Sequence, residues 1–279
     1  MKKALTRPLK KLGLYHPLQS AYRAALRSLS GTWYRIQYRG KSGKGHACNF
    51  CNQRFGKFIP SFPAPENAAA IEKHHVIAGY GANIICPNCQ STARERLARL
   101  CLDHFIHPAG KKILHISPER KLSPYLRSVA DVFSADLQPG FYRDIDPSVQ
   151  MVDLTKMDFS NGQFDLVIAN HVLEHISNDR DAMLEIFRVL KPGGRAVLQV
   201  PYSTKLSDTI ESAGISDPCW QSAMYGQEDH VRIYALDDYM FRLEEAGFHV
   251  KVVQPGELLR LSDVAQQPEE CFLLVTKPA

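Results

Sequence analysis

The sequence predicts a doubly wound α/β fold with a small metal-bearing module in front of it. Three observations carry this expectation. From residue 111 onward, short apolar strands alternate with amphipathic helical segments, the pattern of a mostly parallel sheet covered on both faces. Upstream stand two C-x-x-C pairs, Cys48/Cys51 and Cys86/Cys89. The 279 residues leave room for one α/β domain and one small module.

Residues 1–45 read as a basic amphipathic segment. Leu18, Tyr22, Ala25, Leu26 and Leu29 recur at helical spacing, with Arg23 and Arg27 off that face. Residues 1–65 hold 13 Lys/Arg and no acid, whereas the remainder holds 21 against all 29 acids. Such an end suits an anionic partner, a membrane surface or RNA, or else packs on the body as a solvated face. No apolar run approaches the roughly 20 residues that span a bilayer, and no apolar stretch with a small-residue cleavage site follows the basic start, so a cytoplasmic protein is expected, possible contact with the inner membrane surface included.

Residues 46–93 form the expected zinc-ribbon-like module. Each C-x-x-C turn aims two thiolates at one point about 2.3 Å from a Zn²⁺, and two turns close a tetrahedron. A redox dithiol would need one such pair at the head of a helix in a βαβ unit, a setting neither pair has. His46, His74 and His75 lie near enough in sequence to replace a ligand. Cys101, Cys219 and Cys271 lack partner spacing. Residues 94–110 read as a linking helix capped by Ser91 or Thr92.

In the domain 111–279, strands are expected at 113–117, 132–135, 149–152, 164–170, 195–200, 248–253 and 271–276. Helices are expected near 119–130, 179–190 and 235–246, the second capped by Asn178 and ended by Pro192-Gly193-Gly194. Ligands of such sheets sit beyond the carboxyl ends of the strands. Asp136 closes "DVFSAD", about 20 residues past the first turn, where a carboxylate can accept from both ribose hydroxyls. Asp153 closes the next strand. His171-Val-Leu-Glu174-His175 spells the H-x-x-E-H pattern of a protease family, but it starts at the end of a buried strand instead of lying on one helix.

The stretch "FDLVIANHVLEHI", a helix, then "EIFRVLKPGGRAVLQVPY" resembles the class I S-adenosylmethionine-dependent methyltransferases of the broad type 11 group. The resemblance covers about residues 111–276. It implies a seven-stranded, Rossmann-like sheet with a reversed last hairpin, and S-adenosylmethionine as cofactor. By position, Asp136 would hold the ribose, Asp153 and Leu154 would flank the adenine, and Asn170 and His171 would line the pocket near the sulfonium. The cysteine quartet, "CPNCQSTARERL" and "GQEDHVRIY" together resemble a bacterial zinc-knuckle subgroup.

The first turn departs from the family pattern, which carries an acid at His115 and glycines at Ser117 and Glu119. Glu119 is expected to supply the missing carboxylate, or simply to start the helix as an acid in its first turn. The insertion 202–234 is expected on the acceptor side, with Tyr202, Gln227, Glu228, Asp229 and Tyr234 as substrate contacts. His230 is the first choice of general base and His171 the second; a separate metal site from Glu228, Asp229 and His230 is an alternative. The expected function is methyl transfer to an oxygen or nitrogen of a small-molecule, sugar or lipid-linked acceptor. The alternatives are an RNA methyltransferase using its basic zinc module, and a non-catalytic binding protein.

Overall fold

The computed structural model describes residues 15–212 and 214–279. The reading made for residues 1–14, and the side chains of Leu18 and Arg23, lie outside the described residues.

The chain opens with α1 (Tyr15–Gln37). Its inner face rests on the module through Gly31, where a Cβ would collide with Gln90; the Gln90 side-chain amide donates to the Arg27 carbonyl at 2.8 Å. Arg27 also pairs with Asp144 at 3.1 Å. The opposite face is apolar and turned to solvent: Tyr22, Leu26, Leu29, Trp33 and Ile36 are all exposed, Leu29 by 71%.

In the module, β1 (Ser42–Ala47) pairs with β2 (Arg54–Phe55), and β3 (Ile59–Ser61) pairs with β5 (Gly81–Ile85). Between the latter two lie α2 (Pro65–Lys73) and β4 (Val76–Ile77). Both cysteine turns close the same way. Asn52 and Gln90 donate back to the carbonyls of Cys48 and Cys86 at 2.8 and 2.9 Å, and each sits at positive φ, +55° and +61°. Tyr38, Phe55, Phe58 and Ile59 form the small core around them.

The module leads into α3 (Ala93–Cys101) through a capping box, in which Thr92 is the cap and Glu95 its partner. The sheet follows: β6 (Lys112–Ile116), α4 (Leu122–Val129), β7 (Asp131–Asp136), β8 (Gln150–Met151), β9 (Phe164–Ala169), α5 (Asp179–Val189) and β10 (Leu190–Val197). Asn178 caps α5, and Pro192-Gly193-Gly194 form an irregularity inside β10, so the helix ends at Val189, just before them.

The insertion contributes β11 (Tyr202–Ser203), β12 (Ile210–Glu211), α6 (Pro218–Tyr225) and β13 (Arg232–Ala235). The chain ends with α7 (Leu236–Glu245), β14 (His249–Val253), α8 (Pro255–Leu261) and β15 (Phe272–Thr276).

Seven strands make the main sheet, in the order β14-β15-β10-β9-β6-β7-β8. All neighbours run parallel except β15, which is antiparallel to both β14 and β10. A fully buried core lies on each face of this sheet, as the unbroken apolar runs of β6 and β9 require. The module is not a separate body. Its β4 joins β11 and β13 in a second sheet, pairing Val76 with Ser203.

Candidate active site

A cleft of about 610 Å³ opens beyond the carboxyl ends of β6, β7 and β9, lined by Ser117, Asp136, Tyr142, Asp153, Leu154 and His171 among others. Ser117 holds the left-handed conformation, φ +51°, that a glycine would adopt freely. Its hydroxyl donates to Asp136 Oδ2 at 2.6 Å, and the Gln138 amide donates to Oδ1 at 2.6 Å. Each oxygen keeps a lone pair for a ligand. Asp153 accepts from the Thr155 hydroxyl at 2.7 Å and from its amide at 2.9 Å, which holds the carboxyl below its usual range.

His115, Glu119 and Asn170 do not line this cleft; they form a buried network at the ends of β6 and β9. His115 Nε2 lies 3.0 Å from Glu119, and Asn170 donates to the other carboxylate oxygen at 2.6 Å. Burial opposes ionisation of Glu119, but the His115 contact, with Arg94 and Asn170, outweighs it and keeps the carboxyl below its ordinary range. A carboxylate is thus present at 119, paired with the histidine at 115. His115 Nδ1 and Asn170 Oδ1 are buried without partners.

A second cleft of about 450 Å³ shares His171, His175, Tyr142 and Asp229 with the first. One wall belongs to the module and α3, including Val76, Tyr80, Ile84 and Arg94; the other belongs to the insertion, including Tyr225, Gln227, Asp229 and His230. His171 stands at the seam, itself at φ +56°. Its Nδ1 lies 3.5 Å from Glu174 Oε1, and its Nε2 has no partner. His230 is 7% exposed, and burial lowers its pKa, so the ring is neutral at neutral pH.

Residues 119–198 match the family model described as a methyltransferase domain. The match runs through β9, α5 and β10, the centre of a sheet whose one antiparallel strand is the last. This part of the sheet is similar to methyltransferase domains.

Two curated relatives are demethylmenaquinone methyltransferases of Paenarthrobacter aurescens and Renibacterium salmoninarum, 28% and 27% identical over 111 residues. The alignments cover 37% of this chain and 44% and 47% of the relatives. The chain thus spans about half the length of the curated relatives it matches. Among solved structures, an S-adenosylmethionine-dependent methyltransferase of Mesorhizobium loti aligns with 64% of this chain and 94% of its own at 13% identity, TM-score 0.46.

Of the residues expected on the acceptor side, Gln227, Asp229 and His230 line the second cleft. Glu228 is exposed outside it. Tyr202 and Tyr234 are buried in other networks: Tyr202 accepts from the Cys271 amide at 2.9 Å, and Tyr234 donates to Asp179 at 2.7 Å. Two residues escaped sequence reasoning. Arg94 enters the second cleft from the second residue of α3, and Glu270 is buried beside the start of β15 with Oε2 unpartnered. A lone polar residue in a helical or loop pattern gives no signal of the neighbours it will meet.

The four cysteines of the module bring their sulfurs within 4.8 Å of one another. Cys48–Cys89 and Cys51–Cys86 are 3.6 and 3.7 Å apart, close to the edge of about 3.8 Å expected for a tetrahedron with 2.3 Å arms. His46 instead lies by Asn83, at 3.4 Å. The quartet fits a structural zinc. Beside it Arg96, with no solvent exposure, donates to the carbonyls of Ala265, Ser91 and Ile84 at 2.6, 2.5 and 2.9 Å. Its charge opposes that of the thiolates, a compensation a buried Cys₄ site requires.

Proposed function

We propose that this chain transfers a methyl group from S-adenosylmethionine to an oxygen or nitrogen of a small, lipid-linked acceptor such as a sugar. The observation that carries the reading is the meeting of the two clefts at His171. The first offers the carboxylates suited to a nucleoside, Asp136 for the ribose and Asp153 with Leu154 for the adenine; the second is large enough for an acceptor and joins it within one side chain. Glu119, held by His115 and Asn170, positions the turn on which the methionine end would rest.

S-adenosylmethionine, when bound, supplies an already activated sulfonium methyl. The protein's part is to align the acceptor and take its proton. In this reading His171 receives the acceptor proton, with Glu174 behind its other nitrogen to stabilise the imidazolium. The acceptor lone pair forms the new bond to the methyl carbon while the carbon–sulfur pair stays on sulfur. His230 is the second candidate base. Gln227 and Asp229 offer hydrogen bonds to the acceptor.

The exposed apolar face of α1 supports a lipid-linked acceptor over RNA. A stripe of Tyr22, Leu26, Leu29, Trp33 and Ile36 in a segment with no acid before residue 66 matches an interfacial helix on anionic lipid. An RNA surface would interleave basic groups with its stacking rings along a groove, whereas here Tyr22 and Trp33 share one face with Leu26, Leu29 and Ile36.

Isothermal titration with S-adenosylmethionine tests the enzyme reading, with Asp136→Ala expected to weaken binding at least tenfold. No binding at millimolar cofactor would leave a fold kept for another ligand. Co-sedimentation with vesicles containing phosphatidylglycerol tests the second part. Binding that falls in Leu29→Glu/Trp33→Glu supports it, whereas RNA binding in its place, unaffected by that pair, would turn the reading to an RNA acceptor.

A further inference from the structure

Glu174, His175 and His230 come together at the seam of the two clefts, with one ligand atom of each within 4.8 Å of the others. None of the three is adjacent to the cysteine quartet in sequence, and His230 reaches the group from the insertion. The set differs from the Glu228, Asp229 and His230 grouping that the sequence offered as an alternative, because Glu228 is exposed and the segment after β9 instead meets the insertion, where the Val231 amide donates to the Glu174 carbonyl.

Three features distinguish this group from an ordinary polar cluster. The first is Glu174: it is 1% exposed, yet its Oε2 has no partner within the protein. A buried carboxylate oxygen without a protein donor is costly, and a bound cation would satisfy it. The second is His175. Its Nδ1 faces the Asp229 carbonyl at 3.2 Å and the Asp229 carboxylate at 3.5 Å, so it is the proton-bearing nitrogen, leaving the Nε2 lone pair facing the Glu174 carboxylate, 3.9 Å from Oε1, the oxygen that also meets His171. A metal-binding histidine is commonly fixed by such a carbonyl or carboxylate behind its other nitrogen. The third is His230, which is buried and whose ring meets His175 edge-on with centroids 4.8 Å apart.

We propose that Glu174, His175 and His230 form a second metal site, for a divalent first-row cation, placed to take an acceptor hydroxyl as a further ligand. Two imidazoles and one carboxylate suit Mn²⁺, Fe²⁺, Co²⁺ or Zn²⁺ better than a hard cation held by oxygens alone. Ligand arms of about 2.0–2.2 Å put ligand atoms roughly 3–4.3 Å apart, so a shift of less than about 1 Å closes the set. Asp229 and His171, both in contact with this group, lie outside the ligand set: Asp229 orients His175, and His171 remains the proton acceptor.

The inference rests on the methyltransferase reading for the identity of the oxygen ligand, but not for the site itself. A coordinated hydroxyl is more acidic, so its proton passes to His171 at neutral pH; the oxygen pair then forms the bond to the methyl carbon, and the carbon–sulfur pair stays on sulfur. An acceptor with two neighbouring oxygens, such as a sugar diol, would chelate here.

Mn²⁺ is the probe of choice, since the thiolate quartet selects softer ions and keeps its zinc. Titration of the full-length protein with MnCl₂, following free Mn²⁺ by electron paramagnetic resonance, is expected to show one equivalent bound. His175→Asn and His230→Gln, each checked for unchanged zinc content and circular dichroism, are expected to weaken it at least tenfold. Absence of a Mn²⁺ site, or equal affinity in both folded variants, overturns the proposal. S-adenosylmethionine titration on the same samples separates the two claims: cofactor binding without a Mn²⁺ site removes the metal and leaves the enzyme reading, whereas a Mn²⁺ site without cofactor binding does the reverse.

Discussion

The Ser117 hydroxyl donates to Asp136 over 2.6 Å, tying the first turn of the sheet to the acid at the end of the neighbouring strand. The turn therefore takes the left-handed backbone that glycine adopts freely and adds a bond that glycine cannot make. The two effects oppose each other. The left-handed conformation costs a non-glycine residue about 1–2 kcal/mol, and a hydrogen bond to a charged group contributes about 1.5–3 kcal/mol. Ser117→Gly should stay within about 1 kcal/mol of the parent in urea unfolding. Ser117→Ala, which keeps the strain and loses the bond, should be less stable by about 2 kcal/mol.

Arg96 should be the most sensitive residue of the metal module. Arg96→Met removes the side-chain donor to the carbonyls of Ala265 and Ile84, leaves the Ser91 carbonyl with the Cys86 amide alone, and removes the positive charge beside four thiolates. A loss of about 3–5 kcal/mol is expected, with zinc released at lower chelator concentration than from the parent. Zinc content by mass spectrometry together with urea melts measures both. Stripping the zinc from the parent should produce a similar destabilisation, because the site and its counter-charge act as one unit.

Glu270 makes stability fall as pH rises. Burial pushes its carboxyl up from 4.5 to about 7, against the opposing pull of Arg94. The folded protein therefore holds a proton that the unfolded chain releases. The associated stability is fully present below about pH 4.5 and is lost as pH climbs through 7, on the order of 3 kcal/mol for a shift of this size. Glu270→Gln should flatten this slope and be the more stable protein above pH 7. Chemical melts at pH 5, 6, 7 and 8 would show it.

Gly226 should govern the acceptor cleft without touching the cofactor cleft. It ends α6 at φ +79°, and a Cβ there would stand 2.7 Å from Ile71 Cγ1 of α2. Gly226→Ala is expected to cost about 1–3 kcal/mol and to part the module from the insertion. S-adenosylmethionine affinity, measured by calorimetry, should stay within threefold of the parent.

The central strands were legible because they are buried on both faces and so read as mostly apolar runs, "ILHI" and "LVIA" being the clearest. Asp136 and Asp153 were legible as the acids that close "DVFSAD" and "VQMVD". The cysteine turns announced themselves by spacing. What the sequence concealed is the second cleft, since Val76 of the module finds Ser203 of the insertion only in three dimensions. Tyr202 and Tyr234 looked like cleft residues from their neighbours, but a buried tyrosine needs a partner for its hydroxyl, and the Cys271 backbone and Asp179 are nearer. Arg94 sat inside a helical pattern that accounted for it fully as a solvated residue.

The pairing of β4 with β11 has a bearing on how this chain can be cut and recombined. Removing the first 93 residues would not unplug an accessory binder; it would tear one strand from a four-stranded sheet and leave Tyr202 and Ser203 with a bare hydrogen-bonding edge. Transplanting the cysteine module onto another sheet of this type would fail for the converse reason, unless residues 202–234 travelled with it. The structural unit is the module together with that distant insertion, and a change in one segment should be felt in the other.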